Sequence, residues 1–289
     1  MKEGTRNLVE LHVAVFLFGL TGLFGKILLL APVVIVFWRL FYASIALFLI
    51  LLVMKEKFKL KSARDFWMLI LIGVILVVHL VAFFYSIQLS TIAIALLTFS
   101  TFPVFATFIE PYFFKEKIKL FDILIALIAF IGIAFIVPSF ELRNNFTQGA
   151  VCGMISGFFM AVLSVLNKKY VKKYSGLLIA FYQQVVAAII LLPLIIYLHP
   201  TIQIKDMFLL VLMGVVFTAL SHSLFIRGMI HIKAQLAAVI TCLEPVYGII
   251  FAALLLKEIP TVKMIFGGLI ILGAVLYATL KSKCEIALS

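Results

Sequence analysis

The sequence predicts an all-α membrane protein: ten transmembrane helices as two inverted five-helix repeats. Three observations carry that expectation. Of 289 residues, 65% are hydrophobic and 12% charged, and the mean hydropathy is +1.28, more apolar surface than a soluble core of this length can hide. A hydrocarbon slab roughly 30 Å thick takes about 20 apolar residues per helical crossing, and the chain divides into ten such runs with short connections. Finally, its two halves resemble each other.

The apolar runs, bounded by charged or turn-forming residues, fall near 11–30, 33–54, 66–88, 92–114 and 123–137. After the polar stretch 138–148 they continue near 149–166, 177–198, 207–229, 234–256 and 262–280. They are numbered below as spans 1 to 10, and the halves divide as 1–141 and 142–289. Lys2 and Arg6 precede the first run as they would a signal peptide. The run is nevertheless about 20 residues long and lacks a small-residue cleavage site, so it reads as a membrane helix.

A net charge of +12 raises nucleic acid as a partner, and the distribution of the charge argues against it. With the N-terminus in the cytoplasm, 18 of the 24 basic residues lie on the cytoplasmic side. They are Lys2, Arg6, Lys55, Lys57, Lys59, Lys61, Arg64, Lys115, Lys117, Lys119, Lys168, Lys169, Lys172, Lys173, Arg227, Lys233, Lys281 and Lys283. Five, namely Lys26, Arg143, Lys205, Lys257 and Lys263, lie on the other side, and Arg39 falls within span 2. This is the positive-inside pattern. Cys152, Cys242 and Cys284 are far apart without metal-ligand or disulfide spacing, so no metal and no cofactor is expected.

The repeat is clearest where Ala93 to Glu116 is laid on Gln235 to Glu258 at an offset of 142. Pro103-Val104 then meets Pro245-Val246, and Lys115-Glu116 meets Lys257-Glu258. Gly73 matches Gly214 and Phe84 matches Phe225 at an offset of 141, and Phe37-Trp38-Arg39 matches Phe181-Tyr182-Gln183 at 144. An odd number of helices per half makes the second copy enter the membrane in the opposite sense. Alternating access follows from such an inverted repeat, because exchanging the conformations of the two copies exposes one central site to the other side.

With these residues in place the chain resembles the drug/metabolite transporter superfamily, in its ten-helix EamA branch, over essentially its whole length. The resemblance rests on Phe18-Gly19 before a small or polar stretch ending in Lys26, and on Arg39 early in span 2. It rests further on Pro103-Val104-Phe105 leading to Lys115-Glu116-Lys117, and on Leu243-Glu244-Pro245-Val246 leading to Lys257-Glu258. It implies a central cavity lined by spans 1 to 4 and 6 to 9, with spans 5 and 10 peripheral. It implies a carrier of metabolites without naming the substrate. Glu110-Pro111 departs from the family, which has apolar residues there.

Ionisable groups inside an apolar span cost several kcal/mol and persist where they are paired or face a watery cavity. Arg39, His79, Glu110, His222, Arg227 and Glu244 are the candidates. Glu110 shares a helical face with Pro103, Thr107 and Phe114; it reads either as the residue that couples a proton or a substrate to transport, or as a partner for Lys115 or Lys117. Glu244 reads as a substrate contact or as a hydrogen-bond acceptor beside backbone loosened by Pro245. His79 with Phe83, and His222 with Thr218 and Phe225, read as proton carriers or as satisfied hydrogen-bond partners. Arg39, with Trp38 and Tyr42, reads as a carboxylate fork or as a side chain snorkelling outward. Gln88, Asn167, Gln183 and Gln184 read as substrate-orienting groups or as interhelical hydrogen bonds. Arg227 reads as a topology charge.

Gly149, Gly153, Gly157 and Ala161 recur every four residues in span 6, and Gly19, Gly22 and Gly25 thin span 1, so other helices can approach both closely. With Pro103, Pro111 and Pro245 they mark spans 1, 4, 6 and 9 as the segments able to bend. No protease, hydrolase or nucleotide-binding motif is present, so an enzyme is not expected. A channel is the alternative to a carrier, but it calls for a polar pore stripe, and the intramembrane polar residues are scattered. The expected partners are a small-molecule solute and the lipid bilayer; a monomer and a homodimer both fit. The charge asymmetry predicts cytoplasmic termini. A fluorescent protein fused to the C-terminus is expected to fold and fluoresce, and active alkaline phosphatase at that position would reverse the topology.

Overall fold

The computed structural model describes residues 3–114, 120–137, 141, 143–171, 173–228, 240–241 and 243–288. Pro138, the Lys115-Glu116-Lys117 motif, Lys2, Lys119, Lys172, Lys233, Cys242 and the first part of span 9 lie outside these residues, as do the side chains of Lys281, Lys283 and Cys284. The described elements are α1 (Glu3–Ile27), α2 (Pro32–Val53), α3 (Ala63–Leu89), α4 (Ile92–Phe99), α5 (Phe102–Phe114), α6 (Leu120–Ile136), α7 (Asn145–Tyr170), α8 (Gly176–Leu198), α9 (Ile204–Gly214), α10 (Ser221–Gly228), α11 (Leu243–Phe251) and α12 (Val262–Leu288). A π-helical turn, Val215–Leu220, joins α9 to α10, and a second, Ala252–Leu256, extends α11. Among the described residues there is no strand.

Polar residues flanking the apolar runs set where helices begin. Ser62, Thr91, Asn144 and Ser175 accept from the backbone N–H groups of Asp65, Ile94, Phe146 and Leu178 at 3.2, 3.2, 2.8 and 3.2 Å, which satisfies donors that lipid cannot. Pro32 stands in the first turn of α2, where its missing N–H costs nothing. Span 4 breaks into α4 and α5 at Ser100 and Thr101, just before Pro103, which has no N–H to donate to the Phe99 carbonyl.

Among the described residues seven helices are long and apolar enough to cross a membrane: Arg6–Ile27, Pro32–Val53, Ala63–Leu89, Ile92–Phe113, Asn145–Tyr170, Gly176–Leu198 and Ile204–Gly228. Shorter apolar helices, Ile123–Ile136, Leu243–Leu256 and Val262–Tyr277, occupy the places of spans 5, 9 and 10. The chain is therefore an all-α, multi-pass membrane protein of about ten helices.

The broadest helix contacts all join the first half of the chain to the second. α3 lies along α7 and α8, α2 along α8 and α9, α1 along α10 and α11, α4 and α5 along α7, and α6 along α12. The halves interdigitate, and α6 and α12 pack chiefly on each other at the periphery.

Glycines occupy the closest crossings, as expected where helices in lipid associate by backbone approach. A Cβ added at Gly73 would lie 2.7 Å from Val186 Cβ and 3.3 Å from the Gln183 carbonyl oxygen; one at Gly214 would lie 2.6 Å from Tyr42 Cβ and 2.7 Å from the Arg39 carbonyl oxygen. The sequence offsets that relate Gly73 to Gly214 and Arg39 to Gln183 thus also relate these two contacts. In span 6, Gly153 faces the Thr98 hydroxyl, and a Cβ at Gly157 would lie 2.9 Å from the Phe99 carbonyl oxygen. Gly157→Leu is expected to force α7 off α4, costing about 1–3 kcal/mol and lowering the melting temperature of the detergent-solubilised protein together with transport. An unchanged melting curve with full activity would refute this packing.

Candidate functional site

A cavity opens at the crossing of the two halves, lined by Phe18, Thr21, Arg39, His79, Leu80, Phe83, Phe99, Met160, His222 and Glu244. Its room is about 40 Å³, enough for a few waters and too little for a metabolite.

Arg39 is 2% exposed, so it does not snorkel. Its Nε donates to Thr218 Oγ1 at 2.9 Å, and its guanidinium carbon stands 5.3 Å from the centre of the Phe84 ring. Thr218 lies in the π turn and donates to the Met213 carbonyl at 2.8 Å, so the widened turn aims its hydroxyl at α2. Such turns recur at functional sites. Arg39 Nη1 is buried without a hydrogen-bond partner. A buried donor left unpaired costs about 1–3 kcal/mol, and more when charged.

His79 Nδ1 lies 3.1 Å from the Ser156 carbonyl oxygen and 2.9 Å from its hydroxyl, which ties α3 to α7. His222 rests edge-on against Phe18 at 5.1 Å between ring centres, and Arg39 is within electrostatic reach of both imidazoles. Glu244 is 6% exposed and stands in the first turn of α11. A Cβ at Gly19 would lie 2.9 Å from its backbone oxygen, so α1 packs directly on this turn. Among the described residues no hydrogen bond or ion pair reaches the Glu244 carboxylate.

Most of the other candidates have structural partners outside the cavity lining. Glu110 pairs with Lys168 of α7. Gln183 donates to Asn167, Gln88 donates to the Leu30 carbonyl at 2.7 Å, and Gln184 Oε1 is buried without a partner. Tyr42 donates to Met207 Sδ at 2.7 Å and stacks on Trp38 at 5.7 Å between ring centres. Pro245 is buried beside Glu244. Gly22 has only ordinary contacts with Ile87 and Ile92, at 3.6 and 3.7 Å from an added Cβ.

Both ends of the bundle carry polar clamps. At the end bearing the N-terminus, Glu10 accepts from Arg227 at 2.6 and 3.0 Å and from Arg6 at 2.9 Å. There Asp65 accepts from Lys173 and, at 2.6 Å, from the Tyr174 hydroxyl. That bond to Asp65 holds the Lys173 ammonium charged above the usual lysine value. At the opposite end Lys26 donates to the Ile87 and Ser90 carbonyls at 2.9 and 2.6 Å and lies 3.7 Å from Glu258. Sequence reasoning overlooked Glu10 because it sits at a span boundary, where a charge costs little. It overlooked Thr21, Phe99 and Met160 because nothing in the residue type separates a cavity wall from a core contact.

The EamA-like transporter family model matches the chain twice, over residues 9–137 and 147–280. The S-adenosylmethionine uptake transporter of Rickettsia bellii is 25% identical over 86% of this chain and 84% of its own length. The pseudopaline exporter CntI of Pseudomonas aeruginosa is 28% identical over 83% of each. A solved crystal structure superposes with a TM-score of 0.71 at 14% identity, covering 97% of this chain and 99% of the other, which speaks for the fold alone. With the family model matched over both halves, the chain belongs to the EamA-like transporter family, as a multi-pass small-molecule transporter of the membrane.

Proposed function

We propose that this protein is a secondary carrier that moves a small organic metabolite, such as an amino acid or a vitamin, across the cytoplasmic membrane by alternating access, with both termini in the cytoplasm. The observation that carries the reading is the cavity between the halves, lined by ionisable groups contributed by both. Two matches of one family model, and the contacts of Gly73 and Gly214 recurring at the offsets that relate the halves, support an inverted repeat. The relatives are named for uptake in one case and export in the other, which supports a metabolite carrier and leaves direction to experiment.

Of the two candidate carboxylates, Glu244 faces the cavity, with Arg39, His79 and His222 as the other charged or titratable groups there. We therefore assign coupling to Glu244 rather than Glu110. The test is transport in proteoliposomes with a panel of labelled metabolites, S-adenosylmethionine among them, with and without a proton gradient. Saturable flux with counterflow is expected, whereas conductance steps in a planar bilayer would make the protein a channel. Glu244→Gln is expected to lower flux at least about tenfold. Glu110→Gln should keep the wild-type pH profile, with flux within about twofold of wild type, as befits a peripheral pair of low energetic weight. A lost pH dependence in Glu110→Gln alone would return coupling to that residue.

A further inference from the structure

We infer that the cavity recognises a zwitterion, with Arg39 receiving a carboxylate and Glu244 an ammonium or sulfonium group. The inference deepens the carrier reading and rests on it. Three observations support it. Arg39 is buried with Nε committed to Thr218 and Nη1 without a partner, so one edge of its fork is unfilled. Glu244 is buried in the same cavity wall, and among the described residues no partner reaches its carboxylate. The two form no ion pair with each other, although each would gain by meeting an opposite charge in so apolar a setting.

An unfilled guanidinium and an unpartnered carboxyl group, lining one cavity, suit a guest that carries both signs and no net charge. Such a guest satisfies Arg39 and Glu244 together. A cation without a carboxylate leaves Arg39 unfilled and adds repulsion from it, and an anion without an amine does the same at Glu244. The planar guanidinium matches a carboxylate through two parallel hydrogen bonds, which a single ammonium donor does not. His79 is tied to Ser156, and Phe18, Phe83 and Phe99 supply apolar wall for the guest's remaining atoms. Arg39 belongs to the first half of the chain and Glu244 to the second, so a zwitterion bridges the halves.

The test uses thermal shift of the full-length protein in detergent, a readout independent of flux, with the twenty common amino acids as probes. For each one that stabilises, its amide and its deaminated acid are compared; for methionine these are methioninamide and 4-(methylsulfanyl)butanoate. Each analogue is expected to need a roughly 10- to 100-fold higher concentration than its parent, the cost of leaving one charge unpaired. Arg39→Gln should erase the preference over the amide and Glu244→Gln the preference over the deaminated acid, each leaving the other preference in place. Arg39→Lys, which keeps the charge, should retain part of the preference and serves where Arg39→Gln does not fold. An amide or deaminated acid as effective as its parent overturns the inference, as does a panel without a single stabilising amino acid, or variants with wild-type selectivity. Selective binding without counterflow would refute the carrier instead. Counterflow of a singly charged or neutral solute, with zwitterions ignored, would keep the carrier and overturn this inference.

Discussion

Helices in hydrocarbon gain little from burying leucine against leucine, because lipid tails are equally apolar, so this bundle depends on backbones that touch at glycine. The same contacts position the polar residues of the cavity. The Arg39 carbonyl abuts Gly214 and the Glu244 carbonyl abuts Gly19. Two places where the second half presses on the first are therefore residues whose side chains reach the centre. Backbone approach and charge placement are one arrangement, held at both ends by ionic clamps.

A near-symmetric frame carries asymmetric chemistry. The position that matches Arg39 is Gln183, whose amide is spent on Asn167. The position that matches Glu244 is Phe102, an apolar residue at the start of α5. Each half thus keeps one charged residue where its copy has a neutral one. The two halves meet at two alike glycine crossings, and the difference between their side chains makes the cavity between them polar in one sense only.

Much of the fold was legible because lipid leaves the chain so few choices. Apolar run length, basic residues between runs and capping residues at their ends locate the spans, and Arg39, His79, Phe83, His222 and Glu244 do line one cavity. The cost argument that singled out the ionisable ones cannot say which partner lowers the cost, and Glu110 shows why. Lys168 is 58 residues away in sequence, and no local spacing connects the pair. Phe18 and Leu80 were invisible as site residues, since an apolar side chain facing a cavity looks like one facing lipid. The π turn was equally hidden, because it follows from tertiary contacts such as Thr218 with Arg39 rather than from any residue's propensity.

That turn constrains how the chain can change length. An α-helix advances 3.6 residues per turn, so one inserted or deleted residue rotates everything beyond it by about 100°. Val215–Leu220 lies between Gly214, seated on α2, and the stretch that carries His222 to the cavity and Arg227 to Glu10. Removing one residue from within it would restore regular helix and leave both side chains facing as they do, because a π turn is the form in which a helix absorbs one extra residue. The irregular turn thus works as a register shim: span 8 can lose one residue there without turning His222 and Arg227 away, whereas a change of number in its regular helix would rotate both by about 100°.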